Sequence, residues 1–321
     1  MIRFGLIGTS EISTKMAAAL HRCEKATPFA VYSRKKEKGA AFAEACNVPN
    51  VVTSLEELAQ LSDAIYIASP NSLHCEQTLF FLERGIPVLC EKPLASNLSE
   101  VRRMVECACR NDVYFAEAYK SMLMPAFRTV QELLPSVGQI RNVCLEFSKY
   151  STRYDAHKRG EDVNTFRAEF SNGALLDLGV YCLYPVLALF GEPRSVCSSG
   201  ILVPGGVDGV GSAILTYPDF LVTLNYSKIS GGFRPSAIQG EKGTILMDAV
   251  SSPRTVELRL NNGEIRQYSP ETEPADMVYE CDAFVAALER GDKVDPSFFY
   301  SAFRILDAIR ANVGIHYPAD E

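Results

Sequence analysis

A lysine stands where an apolar strand stops. In the stretch Gly85-Ile86-Pro87-Val88-Leu89-Cys90-Glu91-Lys92-Pro93, a short apolar run ends in two opposite charges and a residue with no backbone N–H. A Lys at the carboxyl end of a parallel strand lies on the edge where open α/β sheets bind ligands, so Lys92 is a candidate ligand contact. A second stretch, Gly5-Leu6-Ile7-Gly8-Thr9-Ser10-Glu11-Ile12-Ser13, joins the first apolar strand to a helical pattern. Gly8, Ser10 and Ser13 fall where a phosphate-binding turn needs small residues, and the N–H groups of the helix that follows suit an anion. An ordinary tight turn capped by Thr9 or Ser10 reads the same way. A third stretch, Val31 to Lys38, ends the second strand in Ser33 and Arg34, with Lys35, Lys36 and Lys38 beyond and no acid at its tip. An acid there would take the ribose hydroxyls of NAD, whereas the cations suit the 2'-phosphate of NADP, so NADP is favoured and NAD left open. Charges in that place also mark a solvated helix start.

These residues need a parallel sheet to hold them, and the first 120 residues read as one. Short strands are expected at 2–7, 28–32, around 50–54, 63–70, 85–93 and 113–119, with helical patterns between them. Ser54 with Glu57 three residues later caps one of those helices. Alternating strands and helices at this spacing imply a doubly wound parallel sheet. After about residue 120, segments with two-residue periodicity predominate and are joined by turn signals such as Asn261-Asn262-Gly263. One helix is expected over 174–190 and two more at about 276–289 and 296–312. The fold class is therefore α/β, with an N-terminal Rossmann-type domain, 1–120, and a C-terminal α+β domain, 121–321, built on a mostly antiparallel open sheet. The second domain is expected to bind substrate and to dimerise.

Composition limits the function. Hydrophobic residues make up 47% and charged residues 22% of 321, ordinary for a globular chain. The net charge of -7 argues against a broad nucleic-acid surface and leaves small solutes as partners. No uninterrupted run approaches the ~18 apolar residues that cross a bilayer, and "MIRFGLIG" lacks the features of a signal peptide, so a cytoplasmic protein without a membrane segment is expected. Ten Cys and four His are scattered without metal-ligand spacing, and no metal is expected.

The stretch Asp63 to Ala95 resembles the Gfo/Idh/MocA oxidoreductase family. Its members carry a strand ending in T/S-P-N-x-x-H and, after a helix, G-x-x-V-L-x-E-K-P; here these are Ser69, Pro70, Asn71 and His74, then Glu91, Lys92 and Pro93. The similarity continues through residues 117–119, 173–193 and 238–248. In 173–193 it is closest to the members with Tyr at this position, such as dimeric dihydrodiol dehydrogenase and the glucose-fructose oxidoreductase group.

The resemblance implies an NAD(P)-dependent oxidoreductase. It moves hydride between nicotinamide and a secondary alcohol or carbonyl of a sugar-like, diol or dicarbonyl substrate. It assigns proton transfer to Tyr181, electrostatic support to Lys92 and substrate positioning to Asp177. Free Tyr has a pKa of ~10, and a nearby cation is the ordinary means of lowering it. Asp177 and Tyr181 are four apart and share a helix face, although without the resemblance Tyr181 reads rather as a core-facing helix residue with its hydroxyl at the rim. The implied cofactor contacts are Gly8, Thr9, Ser10, Glu11 and Ile12 at the pyrophosphate, Ser33, Arg34 and Lys38 at the adenosine ribose, and Ser69, Pro70, Asn71, His74 and Glu91 with Lys92 along the nicotinamide half. Where many members have Arg and His near the substrate pocket, this chain has Met122 and Met124, which implies a less polar or differently shaped substrate. The resemblance also admits a non-catalytic NADP-binding regulator, or a glycosidase or lyase that recycles nicotinamide, and it implies a homodimer or higher homo-oligomer.

Overall fold

The computed structural model describes residues 1–321, which divide into two units. The first comprises Met1–Lys120 and Glu273–Pro296, the second Ser121–Thr272 and Ser297–Glu321.

In the first unit the order is β1 (Ile2–Ile7), α1 (Glu11–Leu20), β2 (Ala26–Tyr32), α2 (Lys36–Cys46), β3 (Asn50–Val52), α3 (Leu55–Leu61), β4 (Ala64–Ile67), α4 (His74–Leu82), β5 (Val88–Glu91), α5 (Leu98–Asn111) and β6 (Phe115–Ala118). The six strands pair in parallel in the order β3-β2-β1-β4-β5-β6. Chain order reverses between β1 and β4, the switch point of a doubly wound sheet. Both faces are covered, so β4 and β5 are buried along their whole length. The expected cap of α3 is present: Ser54 Oγ accepts from Glu57 N–H at 3.1 Å, and the Glu57 carboxylate accepts from Thr53 N–H at 3.3 Å.

The second unit contains α6 (Pro125–Leu133), β7 (Ile140–Ser148), α7 (Tyr154–Lys158), α8 (Val180–Phe190), β8 (Ser195–Val203), β9 (Val207–Thr216), β10 (Leu221–Ser227), β11 (Ser236–Gly240), β12 (Gly243–Met247), β13 (Val256–Leu260) and β14 (Ile265–Tyr268). Its eight strands form one sheet, β14-β13-β12-β11-β7-β10-β9-β8, antiparallel except that β10 and β7 run parallel. Register sorts the side chains by face. Val143, Ala213, Leu215, Val222, Leu224, Ile238, Ile245 and Leu258 point to one side and are buried. Of the helices, α8 packs on β7 and β10, α6 on β13 and the last long helix on β8, and the Tyr184 and Phe298 rings of α8 and that last helix lie 5.3 Å apart.

The expected C-terminal boundary is corrected by α9 (Val278–Arg290), which belongs to the first unit; α10 (Ser297–Val313) belongs to the second. The reason is apolar burial: Met277, Val278, Cys281, Phe284 and Val285 join Phe4, Leu6 and Met16 in one core, and the Phe284 and Phe4 rings lie 5.9 Å apart. Two other expectations change. Ser195–Val203 is an additional edge strand, and the helix expected from 174 begins with a π-helical turn, Leu175–Gly179, before α8. The stretch Ala168–Phe190 is long and apolar enough to cross a membrane by length and composition, but 72% of an apolar 18-residue portion of it is buried inside the protein.

Candidate active site

In the first unit, a cleft of about 670 Å³ opens at the carboxyl ends of the strands beside the switch point. Gly8, Thr9, Ser10, Ser33, Arg34, Lys38, Ser69 and Pro70 line it, together with Lys35, Leu73 and Gln77, and none of its lining residues is acidic. Gly8 has φ of +110°, and a Cβ there would lie 2.6 Å from the Ala68 carbonyl oxygen, so the turn closes only over glycine. Ser10, in extended conformation, leads into α1 without a side-chain cap; its hydroxyl is 3.4 Å from that of buried Ser13. The first N–H groups of α1 are thus not capped by that side chain. Ser69 Oγ donates to Gln77 Oε1 at 2.7 Å and fixes the facing wall.

Another cleft of the first unit, about 710 Å³, lies between the loop after α1 and α9. That loop enters β2, so this cleft is at the amino ends of the strands, the edge that open α/β sheets do not use for ligands. Its Arg22–Glu273 and Lys25–Glu289 pairs, at 3.3 and 2.7 Å, are exposed contacts of small energetic weight.

Several predicted cofactor residues lie outside the lined cleft. Glu11 is exposed and pairs with Lys15 at 2.8 Å, while Ile12 packs on the core. Asn71 is half-buried in the 3-10 turn before α4. His74 is fully buried, with Nδ1 2.8 Å from the Pro93 carbonyl and Nε2 3.0 Å from that of Ser69. Burial pushes its pKa down against those carbonyls, and a neutral ring donates to only one of them. His74 therefore ties the loop after β4 to the turn after β5.

Glu91 is also buried. Its carboxylate accepts the Tyr66 hydroxyl at 2.5 Å and the Lys92 N–H at 3.2 Å. Burial raises its carboxyl above the usual carboxylate range, opposed by the Tyr66 hydrogen bond. Glu280 from α9 is buried as well; burial and then the charge of Glu91 push its carboxyl well up. Lys92, half-buried, follows with a cis peptide bond to Pro93.

In the second unit, Asp177 sits in the π-helical turn and Tyr181 one turn later in α8, both half-buried. Tyr181 stands edge-on to Phe147 with centroids 5.4 Å apart. Asp177 Oδ2 accepts from Lys228 Nζ at 2.7 Å, and Lys228 is only 5% exposed. The sequence reading missed Lys228, although "NYSKI" carries the same sign as Lys92, a strand stopped by a cation. Of the two methionines at the departure from the family pattern, Met124 is buried and Met122 half-buried.

Residues 2–119 match the model described as oxidoreductase family, NAD-binding Rossmann fold, and residues 127–246 match the GFO/IDH/MocA C-terminal domain. The chain is 40% identical, over all of both chains, to scyllo-inositol 2-dehydrogenase (NADP(+)) IolU of Bacillus subtilis. It is 31% identical to trans-1,2-dihydrobenzene-1,2-diol dehydrogenase of Xenopus laevis, covering 98% of this chain and 99% of that one. Among solved structures, the 3-ketoreductase KijD10 of Actinomadura kijaniata, in complex with NADP and TDP-benzene, superposes with a TM-score of 0.85 at 22% identity, covering 97% and 98% of the two chains. Levoglucosan dehydrogenase with NADH and levoglucosan gives 0.86 at 18%, covering 98% and 97%. At those identities the likeness is one of fold.

Proposed function

Because the chain belongs to the Gfo/Idh/MocA oxidoreductase family, we propose that it is an NADP-dependent dehydrogenase acting on a secondary alcohol of a cyclic polyol or diol. The observation that carries the cofactor reading is the charge of the cleft at the switch point, where Arg34, Lys35 and Lys38 face no acid. A carboxylate there would repel a 2'-phosphate, whereas guanidinium and ammonium groups take it through charge-assisted hydrogen bonds. The Gly8 turn, bare of a side chain where a Cβ would meet Ala68, fits a pyrophosphate on the N-terminus of α1. When bound, nicotinamide supplies the two-electron partner for hydride transfer.

In this reading Gly8 to Ile12 hold the pyrophosphate, and Ser33, Arg34 and Lys38 hold the ribose phosphate. Ser69, Pro70 and Asn71 shape the nicotinamide half. His74 and Glu91 act indirectly, by fixing the turns around them. As the carbinol carbon gives up its hydride and becomes a carbonyl, its hydroxyl proton passes to Tyr181, and the reverse reaction returns it. Asp177 orients the reacting hydroxyl, and Lys92 supplies positive charge on the cofactor side. The two curated relatives named above act on rings bearing neighbouring secondary hydroxyls, which supports that substrate class.

The test begins with thermal stability in NADP+ and in NAD+, where the larger rise belongs to NADP+. Turnover of scyllo-inositol and of a trans-dihydrodiol is then followed by the absorbance of reduced nicotinamide. Tyr181→Phe is expected to lower kcat by about 100-fold or more while leaving the NADP+-induced stabilisation intact. Wild-type turnover in that variant would remove Tyr181 from the chemistry.

A further inference from the structure

The π-helical turn Leu175–Gly179 is held from outside its own helix by two buried side chains. Asp208, at the start of β9 and 1% exposed, accepts the Leu175 N–H on Oδ2 at 2.8 Å. Lys228, directly after β10, donates Nζ to Asp177 at 2.7 Å and its own N–H to the Gly209 carbonyl at 2.8 Å. The pairing of β8 with β9 shifts register here, from Ile201 opposite Val210 to Leu202 opposite Asp208, leaving Gly209 as an extra residue. A bulge of this kind re-aims a neighbouring side chain.

Gly173, just before the helix, has φ of +129°, and a Cβ there would lie 2.2 Å from Asp208 Oδ1. That oxygen is buried without a hydrogen-bond partner. A buried carboxylate is costly, and a bulge, a glycine and a buried lysine converge on this one. A π-turn also leaves its opening N–H groups out of α-helical register, so they need acceptors from elsewhere.

We propose that Asp208 and Lys228 are positioning residues for the catalytic turn, Asp208 anchoring its first N–H and Lys228 holding Asp177, so that together they fix how Asp177 and Tyr181 are presented. This rests on the reading of Tyr181 as the proton-transfer group and of Asp177 as the group that orients the reacting hydroxyl. Burial pushes the Asp208 carboxyl up to about 6, against main-chain N–H groups and Lys228 that draw it down. The other groups that face it are the Tyr226 and Tyr317 hydroxyls, with Arg310 and Asp320 beyond Tyr317. By linkage, a carboxyl held near 6 in the folded turn ionises more readily once the turn opens, so the turn is held less firmly as pH rises from the ordinary carboxylate range through about 6.

The test compares D208N, K228M and K228R with Y181F, using scyllo-inositol and NADP+ as probes and amide hydrogen exchange of the peptide spanning residues 172–181. In the wild type, protection of that peptide, corrected for intrinsic exchange, is expected to fall as pH rises from the ordinary carboxylate range through about 6, as the buried carboxyl ionises. D208N is expected to lose that pH step while keeping its KM for NADP+. K228M is expected to lower kcat by about 100-fold at every pH, with K228R recovering most of the loss. Should D208N fail to fold, the K228M and K228R pair gives the deciding exchange and rate data. Unchanged exchange and pH profile in D208N, or wild-type kcat in K228M, overturns the inference even if Y181F is inactive. Wild-type turnover in Y181F instead overturns the catalytic reading beneath it.

Discussion

Arg34 and Lys38 are exposed, so neither contributes much to folding, and what they decide is selectivity. A hydrogen bond to a charged group is worth about 1.5–3 kcal/mol, so Arg34→Ala should weaken NADP+ binding by about 10- to 100-fold and leave NAD+ nearly unchanged. Calorimetric titration with both dinucleotides measures this, and an equal loss for both would place Arg34 away from the phosphate. At this scale the sequence exposed what lies at strand ends. Gly8, Arg34 and Lys92 could be singled out because a turn, a strand tip and an abrupt pair of charges are local events. Lys228 carried the same local sign and was passed over. Glu280 carried none, since a glutamate in an amphipathic helix reads as solvated until the partner of that helix is known. In the structure it is buried, and its carboxyl is raised by burial and by Glu91.

Among the elements, α9 makes the most consequential contact that its local pattern could not reveal. Phe284 is 2% exposed and meets Phe4 and Tyr114 at ring separations of 5.9 and 5.6 Å. Phe284→Ala should therefore cost about 3–5 kcal/mol, read as a lower urea midpoint with little change in slope. A loss under about 1 kcal/mol would mean that α9 is not part of that core. The parallel strands were legible because they are short apolar runs set between helical patterns. Strand β8 was not, because Ser195-Val196-Cys197-Ser198-Ser199-Gly200 mixes small polar residues and glycine at a sheet edge. The π-turn was invisible for another reason: its Leu175-Leu176-Asp177-Leu178-Gly179 pattern is what an α-helix would also show, and Asp208 and Gly173 come from outside it.

For the whole molecule, we propose a homodimer formed through the open face of the second unit's sheet. One cross-strand row runs Cys197, Ile214, Thr223, Cys144, Ala237, Leu246, Glu257, Gln267, and all of these side chains are at least partly exposed. Ile214, 44% exposed, lies near its apolar end, so Ile214→Arg should shift light-scattering mass from dimer to monomer while the fold, judged by circular dichroism, persists. An unchanged dimer would locate the interface elsewhere. By itself the sequence determined the two kinds of sheet, the phosphate-type turn, the rim lysine and the family, because each is written in contiguous residues through periodicity, turn chemistry or motif. Only the tertiary structure decided that residues 273–296 return to the first unit, that β7 and β10 run parallel, and that Asp208 and Lys228 hold the turn carrying Asp177. These features join residues far apart in the chain, and burial, which makes a carboxylate or an ammonium matter, belongs to the packed molecule rather than to any local stretch.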